Sequence, residues 1–344
     1  MRLKYSHAMS ADFSLNLSGL SLALGDYACR FDADLLNECA STNGVLLARA
    51  AAGAPSGAVV VAAAQTAGRG RRGRAWISAP GDSLTFSLLW RFAPGTLPAG
   101  LSLAVGLAVA EALEKVGAGP SQADASPPVG GSEPGLRAWG ANKVGAGPSQ
   151  ADASPPVTAS GDFMGGSEPG LRAWGANKVG AGGTASVGTQ NNSGEAIQLK
   201  WPNDLLLGGR KLGGILVELL SGAPHVAVIG IGLNLRLPAA LPDDLRAQSA
   251  ALDHGGDPNE LLAGILVELL AVLESFAASG FADLRSAWMA RHAFADEPIR
   301  LLADFAPPRM GICRGVDVDG ALLLEVSGQI ERVLSGEVSL RSAA

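Results

Sequence analysis

The spacing of apolar residues predicts alternating strands and helices in the first third of the chain. Apolar residues at every second position are typical of a half-buried strand, and recurrence every three or four positions is typical of a helix. The pattern predicts, in chain order, a strand over 31–39, a helix directly after it, strands over 59–62 and 83–90, and an amphipathic helix over 101–116. Residues 1–30 carry no clear pattern and are treated as a separate N-terminal segment.

Regular patterning resumes near residue 197 and changes character towards the C-terminus. Asp257 and Glu260, with a proline directly after the aspartate, form the start signal of a helix that runs to about Ser279. Strands are predicted over 197–201, 214–219 and 225–232, a second helix over 281–292, and short strands over 299–303, 310–316, 321–326 and 330–334. This order predicts an α/β (α+β) domain with a mixed sheet over 31–296 and a small β-barrel-like domain over 297–344.

Glycine and proline are concentrated in residues 117–196, which hold 18 of the 46 glycines and 8 of the 20 prolines. Within this stretch Gly117–Val129 recurs letter for letter at Gly145–Val157, and Gly130–Gly147 recurs at Gly165–Gly182. Solenoid repeats diverge while they keep an apolar pattern, whereas these copies are identical and poor in apolar residues. We interpret the stretch as a long, duplicated, low-complexity insertion in the larger domain.

Composition and charge exclude several classes of protein. The chain of 344 residues is 47% hydrophobic with a formal charge of −6, so it can fill a core and has no global attraction for nucleic acid. No apolar run approaches the length of a membrane span, roughly 18 residues, and we expect no association with membranes. Cys29, Cys39 and Cys313 are far apart, which disfavours a disulfide framework or a zinc site and suits a reducing cytoplasm.

The densest candidate chemistry lies between Gln65 and Arg74, a stretch with four arginines and three glycines. It contains the letters of a dinucleotide-binding loop, but that site requires a helix next, and the residues up to Gly81 do not form one. A basic patch for nucleic acid is a second option, which the acidic chain disfavours. The remaining hypothesis is a mobile loop whose guanidinium groups and backbone N–H donors close over a carboxylate and a polyphosphate.

Two further clusters run from Lys200 to Glu218 and from Gly230 to Asn234. Turn-forming residues explain the asparagine, aspartate and glycines of the first, but not its basic residues Lys200, Arg210 and Lys211. The glycines that end the second allow a ligand to approach the backbone closely. The histidines have no metal-ligand spacing and are interpreted as structural or surface residues: His7, His225, His254 and His292.

Taken together, these clusters resemble the biotin–protein ligases that biotinylate the carrier protein of acetyl-CoA carboxylase. The resemblance runs through the motifs Ser41–Asn43, Gln65–Trp76, Lys200–Glu218, Gly230–Asn234 and Gly336–Arg341. It implies a catalytic domain that activates biotin with ATP to biotinyl-5′-AMP. It also implies a second step, in which biotin passes to a lysine of the biotin carboxyl carrier protein.

The resemblance also implies roles for individual residues. Lys211, Arg71 and Asp204 are the implied catalytic residues; Lys211 stabilises charge during adenylation, and Asp204 either helps to hold Mg²⁺ or receives the proton of the attacking lysine. The implied biotin-binding residues are Ser41, Thr42, Asn43, Gln65, Arg69, Gly70, Arg71, Lys211 and Gly214. The implied ATP-binding residues are Arg71, Arg74, Trp76, Asn203, Asp204, Asn234 and Arg341.

The chain also departs from the family pattern. About 30 residues precede the catalytic domain, whereas relatives that act as repressors carry a longer DNA-binding module, so we expect a monofunctional ligase that does not bind DNA. The sequence leaves homodimerisation open. The insertion over 117–196 is expected to have no counterpart in the family and to be dispensable for activity.

Two alternatives stay open at this point. One is a lipoate or octanoate ligase of the same fold. The other is a non-catalytic nucleic-acid-binding module that uses Arg69–Arg74.

Overall fold

The computed structural model describes residues 15–96, 98–116, 196–239, 241–252, 255–303, 307–334 and 338–342. These residues belong to one compact unit, formed by Met1–Asp124 and Asn192–Ala344. A second unit, Ala125–Asn191, lies outside the described residues, and so does the predicted insertion except for its last residue.

A mixed sheet of seven strands lies at the centre of the described unit. Its strands are β1 (Asp32–Cys39), β2 (Ala58–Gln65), β3 (Ser83–Arg91), β4 (Gln198–Lys200), β5 (Asp204–Leu207), β6 (Arg210–Leu220) and β7 (Ala223–Asn234), in the order β1-β2-β3-β7-β6-β5-β4. β1 and β2 are parallel, and the other neighbouring pairs are antiparallel. The predicted α/β architecture with a mixed sheet is confirmed.

Helices cover both faces of this sheet. They are α1 (Leu17–Leu24), α2 (Thr42–Ala51), α3 (Leu101–Lys115), α4 (Asp243–Gln248), α5 (Pro258–Ser279) and α6 (Arg285–Met289). α3 and α5 belong to one core with Phe86 and Ile229, while Leu46 of α2 packs in a second core with Val60 and Val228. Because successive strand residues point to opposite faces, the continuous apolar runs of β3 and β7 supply both cores.

Among the described helices, α5 is the one whose length and apolar composition would also allow it to cross a membrane. One face of this helix, however, is enclosed by the protein, and Leu262, Leu266 and Leu273 are fully buried in the core. The expectation that no apolar run approaches the length of a membrane span is therefore wrong for α5, although glutamates at 260, 268 and 274 lie along the helix. In this structure α5 is the central core helix on which α1 and α3 pack.

The N-terminal segment contains a helix that the sequence pattern did not predict. α1 begins at the cap residue Asn16, whose side chain accepts from the backbone N–H of Gly19, and it buries Leu20 and Leu24. Its serines and glycine are weak helix formers, so the helix depends on packing against α5. The close approach to Asn259 of α5 leaves no room for a side chain at position 19, where an added Cβ would lie 2.9 Å from the Asn259 amide.

Other differences concern short elements. The predicted helix over 281–292 is a 3₁₀ turn (Ala282–Leu284) followed by the five residues of α6. β5 and α4 were not predicted, because segments of four and six residues carry too few positions to establish a period.

The C-terminal residues form a separate antiparallel sheet of five strands, as expected for a small β domain. Its strands are β8 (Pro298–Ala303), β9 (Arg309–Val316), β10 (Leu322–Val326), β11 (Gln329–Val333) and β12 (Val338–Ser342), in the order β11-β10-β9-β8-β12. The indole Nε1 of Trp201 donates to Gly320 O at 3.0 Å and ties this sheet to the start of β5. His292 is buried, with Nε2 3.1 Å from Cys313 Sγ. The domain boundary at 296/297 stays a prediction.

Candidate functional site

Residues from all three predicted clusters line one cavity of about 150 Å³. The arginine-rich loop after β2 lies on one side of it, and the facing parts of β6 and β7 lie on the other. The cavity brings together these predicted site residues: Ser41, Thr42, Asn43, Gln65, Arg69, Gly70, Arg71, Arg74, Trp76, Asn203, Asp204, Lys211 and Gly214. Their individual roles stay predictions.

One end of the cavity is a buried network of neutral polar side chains at the start of α2. Ser41 is the N-cap of α2, with its hydroxyl accepting from Gly44 N. Thr42 and Asn43 turn inward instead and are each 3% exposed. The side-chain Oε1 of Gln65 accepts from Thr42 N at 2.8 Å, and the Ser87 hydroxyl lies 2.6 Å from Asn43 Oδ1. A fixed, buried set of amides and hydroxyls is suited to binding a polar ring through specific hydrogen bonds.

Two glycines of β7 form the floor of this end. A Cβ on Gly230 would lie 2.3 Å from Asn43 Oδ1, and a Cβ on Gly232 would lie 2.4 Å from the indole carbons of Trp76. The indole Nε1 of Trp76 donates to Thr85 Oγ1 at 3.3 Å. The glycines are therefore required for the asparagine and the tryptophan to lie flat on the sheet. The sequence predicted a close approach at these positions but assigned it to a ligand, whereas the groups that lie there are two side chains of the protein.

The arginine-rich loop folds back on itself rather than leading into a helix. Gly70 N donates to Arg74 O at 2.7 Å, and Trp76 N donates to Gly68 O at 2.9 Å. Only a 3₁₀ turn, Arg71–Gly73, interrupts it. This backbone path rules out the helix that a dinucleotide-binding loop needs, in agreement with the sequence argument.

The four arginines of the loop all line the cavity, but their surroundings differ. Burial lowers the pKa of Arg71, the neighbouring Arg72 lowers it further, and the carboxylate of Asp204 acts against both. Arg69 Nη2 lies 3.8 Å from Glu218 Oε1 on β6. The Arg72 guanidinium donates to Leu302 O in β8 at 3.3 Å, which connects the loop to the C-terminal sheet.

The other end of the cavity is a cation cluster around one buried carboxylate. Asp204 Oδ1 lies 2.8 Å from Lys211 Nζ, and Asp204 Oδ2 lies 3.5 Å from Lys200 Nζ. Burial by itself would raise the pKa of Asp204, but the two ammonium groups outweigh it and hold the pKa below its usual value. Lys211 is 41% exposed on its side chain and borders the cavity, so its ammonium is available to an anionic ligand.

The residues around Asp204 do not fit a resident Mg²⁺ ion. Within the described part of the chain, no three histidine, cysteine, aspartate or glutamate side chains come together as a metal site. Both carboxylate oxygens of Asp204 already face ammonium groups, which compete with a divalent cation for the same ligand. Of the two roles left open for Asp204, the geometry does not favour metal binding.

Among the described predicted ATP-binding residues, Asn234 is the one that does not line the cavity. The Asn234 amide donates to Lys211 O at 3.3 Å and to Ala250 O at 3.0 Å, so it braces the start of β6. The backbone of Arg341 pairs with Arg300 between β12 and β8, and its side chain lies outside the described part of the structure. A nucleotide role for either residue stays a prediction.

Sequence reasoning missed several residues at the site. Ser87 is buried in the network, and Thr85 accepts a hydrogen bond from the indole of Trp76. Glu218 accepts a hydrogen bond from the Asn43 amide and forms an ion pair with Arg69. A signal was present for the first two: they are polar residues two positions apart in the apolar strand β3, so they share a face. No comparable signal marked Glu218, because a glutamate near a strand end is ordinary.

The fold and the cavity together define an α/β ligand-binding domain with an appended β domain, in which one site joins an amide-lined end to a cation-lined end. The pattern of the biotin/lipoate A/B protein ligase family matches residues 39–137 and 169–234, and that of the biotin protein ligase C-terminal domain matches 310–341. The chain belongs to the biotin/lipoate protein ligase family.

Similar proteins support this assignment over most of the chain. The bifunctional ligase/repressor BirA of Escherichia coli is 32% identical over 309 residues, which cover 88% of this chain and 72% of that protein. The biotin–[acetyl-CoA-carboxylase] ligase of Mycobacterium tuberculosis is 28% identical over 312 residues, which cover 89% and 87%. The Aquifex aeolicus biotin protein ligase in complex with biotin and ATP shares the fold, with a TM-score of 0.60, 23% identity and coverage of 91% and 99%.

The family match also corrects the expected limits of the insertion. We expected the whole of 117–196 to lie outside the family pattern, but the match continues to residue 137 and resumes at 169. The unmatched stretch, 138–168, is close to one repeat in length, since the second sequence block recurs at an offset of 35 residues. The family pattern therefore leaves unmatched a stretch of about one repeat length within the predicted insertion.

Proposed function

We propose that this protein activates biotin with ATP to biotinyl-5′-AMP and transfers biotin to a lysine of the biotin carboxyl carrier protein of acetyl-CoA carboxylase. The observation that carries the proposal is the two-ended cavity. It places neutral amide and hydroxyl partners at one end and the ammonium of Lys211 at the other, which matches the ureido ring and the carboxylate of biotin. The relatives named as biotin–[acetyl-CoA-carboxylase] ligases support the same substrate and acceptor.

In the first step a carboxylate oxygen of biotin attacks the α-phosphorus of ATP. A new P–O bond forms, the bond to the β-phosphate breaks, and pyrophosphate leaves with its electron pair. Negative charge accumulates on the α-phosphate oxygens, where the ammonium of Lys211 stabilises it, and Arg71 adds a second cation beside it. ATP enters as its Mg²⁺ complex, so the metal belongs to the substrate.

In the second step the neutral ε-amine of the carrier lysine attacks the acyl carbon of the adenylate. A C–N bond forms, the C–O bond to the phosphate breaks, AMP leaves with that electron pair, and the proton that the amine loses passes to the departing phosphate or to water. Adenylation is needed because a free carboxylate is a poor acyl donor, whereas AMP is a good leaving group.

Asp204 serves this chemistry as a positioning residue. Its lowered pKa makes it a weak base for the proton of the attacking amine. Its contacts with Lys200 and Lys211 instead hold the two ammonium groups at one edge of the cavity. Asn203 assists by donating to Ile215 O at 2.7 Å, which fixes the turn that carries Asp204 against β6.

The C-terminal match favours biotin over lipoate within this family, because the pattern matched at 310–341 is that of biotin protein ligases. We further propose that the protein acts in the cytoplasm, where its carrier substrate resides.

The test is transfer of label. The full chain, incubated with ATP, labelled biotin and a biotin carboxyl carrier domain, is expected to label one carrier lysine, and a carrier with that lysine changed to arginine serves as the control. Lipoate and octanoate are run in parallel and are expected to compete poorly. Folded protein that leaves the carrier unlabelled, or that prefers lipoate, contradicts the proposal.

A further inference from the structure

Glu218 of β6 contacts two residues that line the cavity, Asn43 and Arg69, and has no role in the two proposed reaction steps. Its Oε2 accepts a hydrogen bond from Asn43 Nδ2 at 2.7 Å, and its Oε1 lies 3.8 Å from Arg69 Nη2. It is 28% exposed on its side chain, so it is partly shielded from water. It therefore touches both a buried wall of the site and the loop that covers it.

The carboxylate determines which way the Asn43 amide faces. Asn43 Nδ2 lies 2.7 Å from Glu218 Oε2 and 3.2 Å from Leu216 O, and both of these oxygens can only accept hydrogen bonds. An amide turned the other way would place its own carbonyl oxygen against two acceptors, which is costly in a buried site. Asn43 Oδ1 must therefore point towards Ser87 and the cavity floor.

This orientation sets the direction of the hydroxyl hydrogen bonds beyond it. Ser87 Oγ lies 2.6 Å from Asn43 Oδ1 and 2.7 Å from Thr42 Oγ1, and it has a single proton to donate. Because Asn43 Oδ1 has no proton, Ser87 must donate to it, and the Thr42 hydroxyl must donate to Ser87. The contact between Thr42 Oγ1 and Gln65 Oε1, at 3.3 Å, is then left without a proton, which agrees with its being the longest of the three.

We infer that Glu218 is a positioning residue that fixes the polarity of this buried chain, so that the cavity presents hydrogen-bond acceptors and selects a ligand ring with N–H donors. Asn43 Oδ1 lies directly over Gly230 in the cavity and keeps a lone pair for the ligand, as does Thr42 Oγ1. The inference rests on the proposed function, in which the ring is the cyclic urea of biotin. A site with fixed acceptors rejects an analogue that lacks the matching donor.

Replacing Glu218 by glutamine removes the constraint and keeps the size of the side chain. A glutamine amide can donate as well as accept, so the Asn43 amide can turn around and reverse the direction of the chain. Binding of biotin to Glu218→Gln is expected to weaken about tenfold, which is the effect of losing one well-placed hydrogen bond in a buried network. Binding of a biotin analogue methylated on a ureido nitrogen, already weak in the unaltered protein, is expected to change less than twofold.

The measurement is titration calorimetry of the full chain with each ligand, in the absence of ATP. Glu325→Gln is the matched control, because Glu325 is also a strand glutamate, is 25% exposed on its side chain and contacts an arginine. It should leave both affinities unchanged. Equal losses for biotin and the methylated analogue in Glu218→Gln would mean that Glu218 acts only through Arg69, and an unchanged affinity for biotin would overturn the inference outright.

A second readout does not depend on the ligand. The Nδ2 protons of Asn43 are expected to exchange slowly with water in the unaltered protein and faster in Glu218→Gln, as followed by NMR. If the glutamine variant does not fold, Glu218→Asp, which keeps an acceptor-only group, is expected to retain slow exchange. Equal exchange in all variants contradicts the inference, whereas failure of the unaltered protein to bind biotin contradicts only the proposed function.

Discussion

At the scale of single residues, the site depends on close approaches that only glycine permits. Asn43 and Trp76 lie against β7 because positions 230 and 232 carry no Cβ. The two glycines could be selected from the sequence as candidates, since two glycines at the end of an apolar strand are unusual. Their partners could not, because the sequence does not reveal which side chain crosses the sheet at which point.

The Gly230→Ala variant tests this packing. Its Cβ would lie 2.3 Å from Asn43 Oδ1, so the asparagine must move out of the place it occupies in the network. We expect the KM for biotin in adenylate formation to rise at least about tenfold, which corresponds to a loss of roughly 1.4 kcal/mol. Gly264→Ala in α5 is the control, since its Cβ would meet only Val116 Cγ2 at 3.8 Å. An unchanged KM in Gly230→Ala would show that Asn43 does not meet the ligand.

At the scale of elements, the long segments followed from the sequence and the short or tertiary-dependent ones did not. β1, β2, β3, β7, α3 and α5 carry enough apolar positions to establish a period, so their existence could be predicted. α1 could not be predicted, because its two buried leucines are buried only by tertiary contact with α5, which the local sequence does not reveal. Most residues of the site could be predicted from the chemistry of their motifs. The buried hydrogen-bond chain through Ser87 could not, because it depends on the register of β3, which the sequence does not reveal.

A pair of leucines in α1 tests how much this helix contributes. Leu20 is 1% exposed and Leu22 is 85% exposed on the same helix. Leu20→Ala is expected to lower the free energy of unfolding by about 2–5 kcal/mol, because it removes buried methyl groups and leaves a cavity. Leu22→Ala should change it by less than about 0.5 kcal/mol. Chemical denaturation of both variants measures this, and equal effects would mean that α1 does not pack as described.

At the scale of the whole molecule, the catalytic and C-terminal sheets meet at the segment that carries the cation cluster. Trp201, directly after Lys200, is fully buried and donates to the turn before β10. Arg72 of the arginine-rich loop reaches Leu302 in β8. The cation cluster and the arginine-rich loop therefore each have a contact with the C-terminal part of the chain.

The duplicated stretch offers a test at the same scale. Deleting residues 134–168 joins Glu133 to Pro169 and leaves one uninterrupted copy of the repeat, because residues 130–147 and 165–182 are identical. Since the family pattern leaves 138–168 unmatched, we expect the shortened protein to label the carrier at a rate within about twofold of the full chain. A folded deletion variant without activity would assign the extra copy a function in catalysis.

The central claim is that this cavity catalyses attack of the biotin carboxylate on the α-phosphorus of ATP, with Lys211 stabilising the charge that develops. The most direct measurement is biotin-dependent exchange of labelled pyrophosphate into ATP, which reports adenylate formation without the carrier protein. The full chain is expected to catalyse the exchange, and Lys211→Ala is expected to slow it at least about a hundredfold, through loss of charge stabilisation in the transition state. Lys115→Ala, which removes a surface ion pair with Glu268, should leave the rate unchanged. Exchange that does not require biotin, or that survives in Lys211→Ala, would contradict the account.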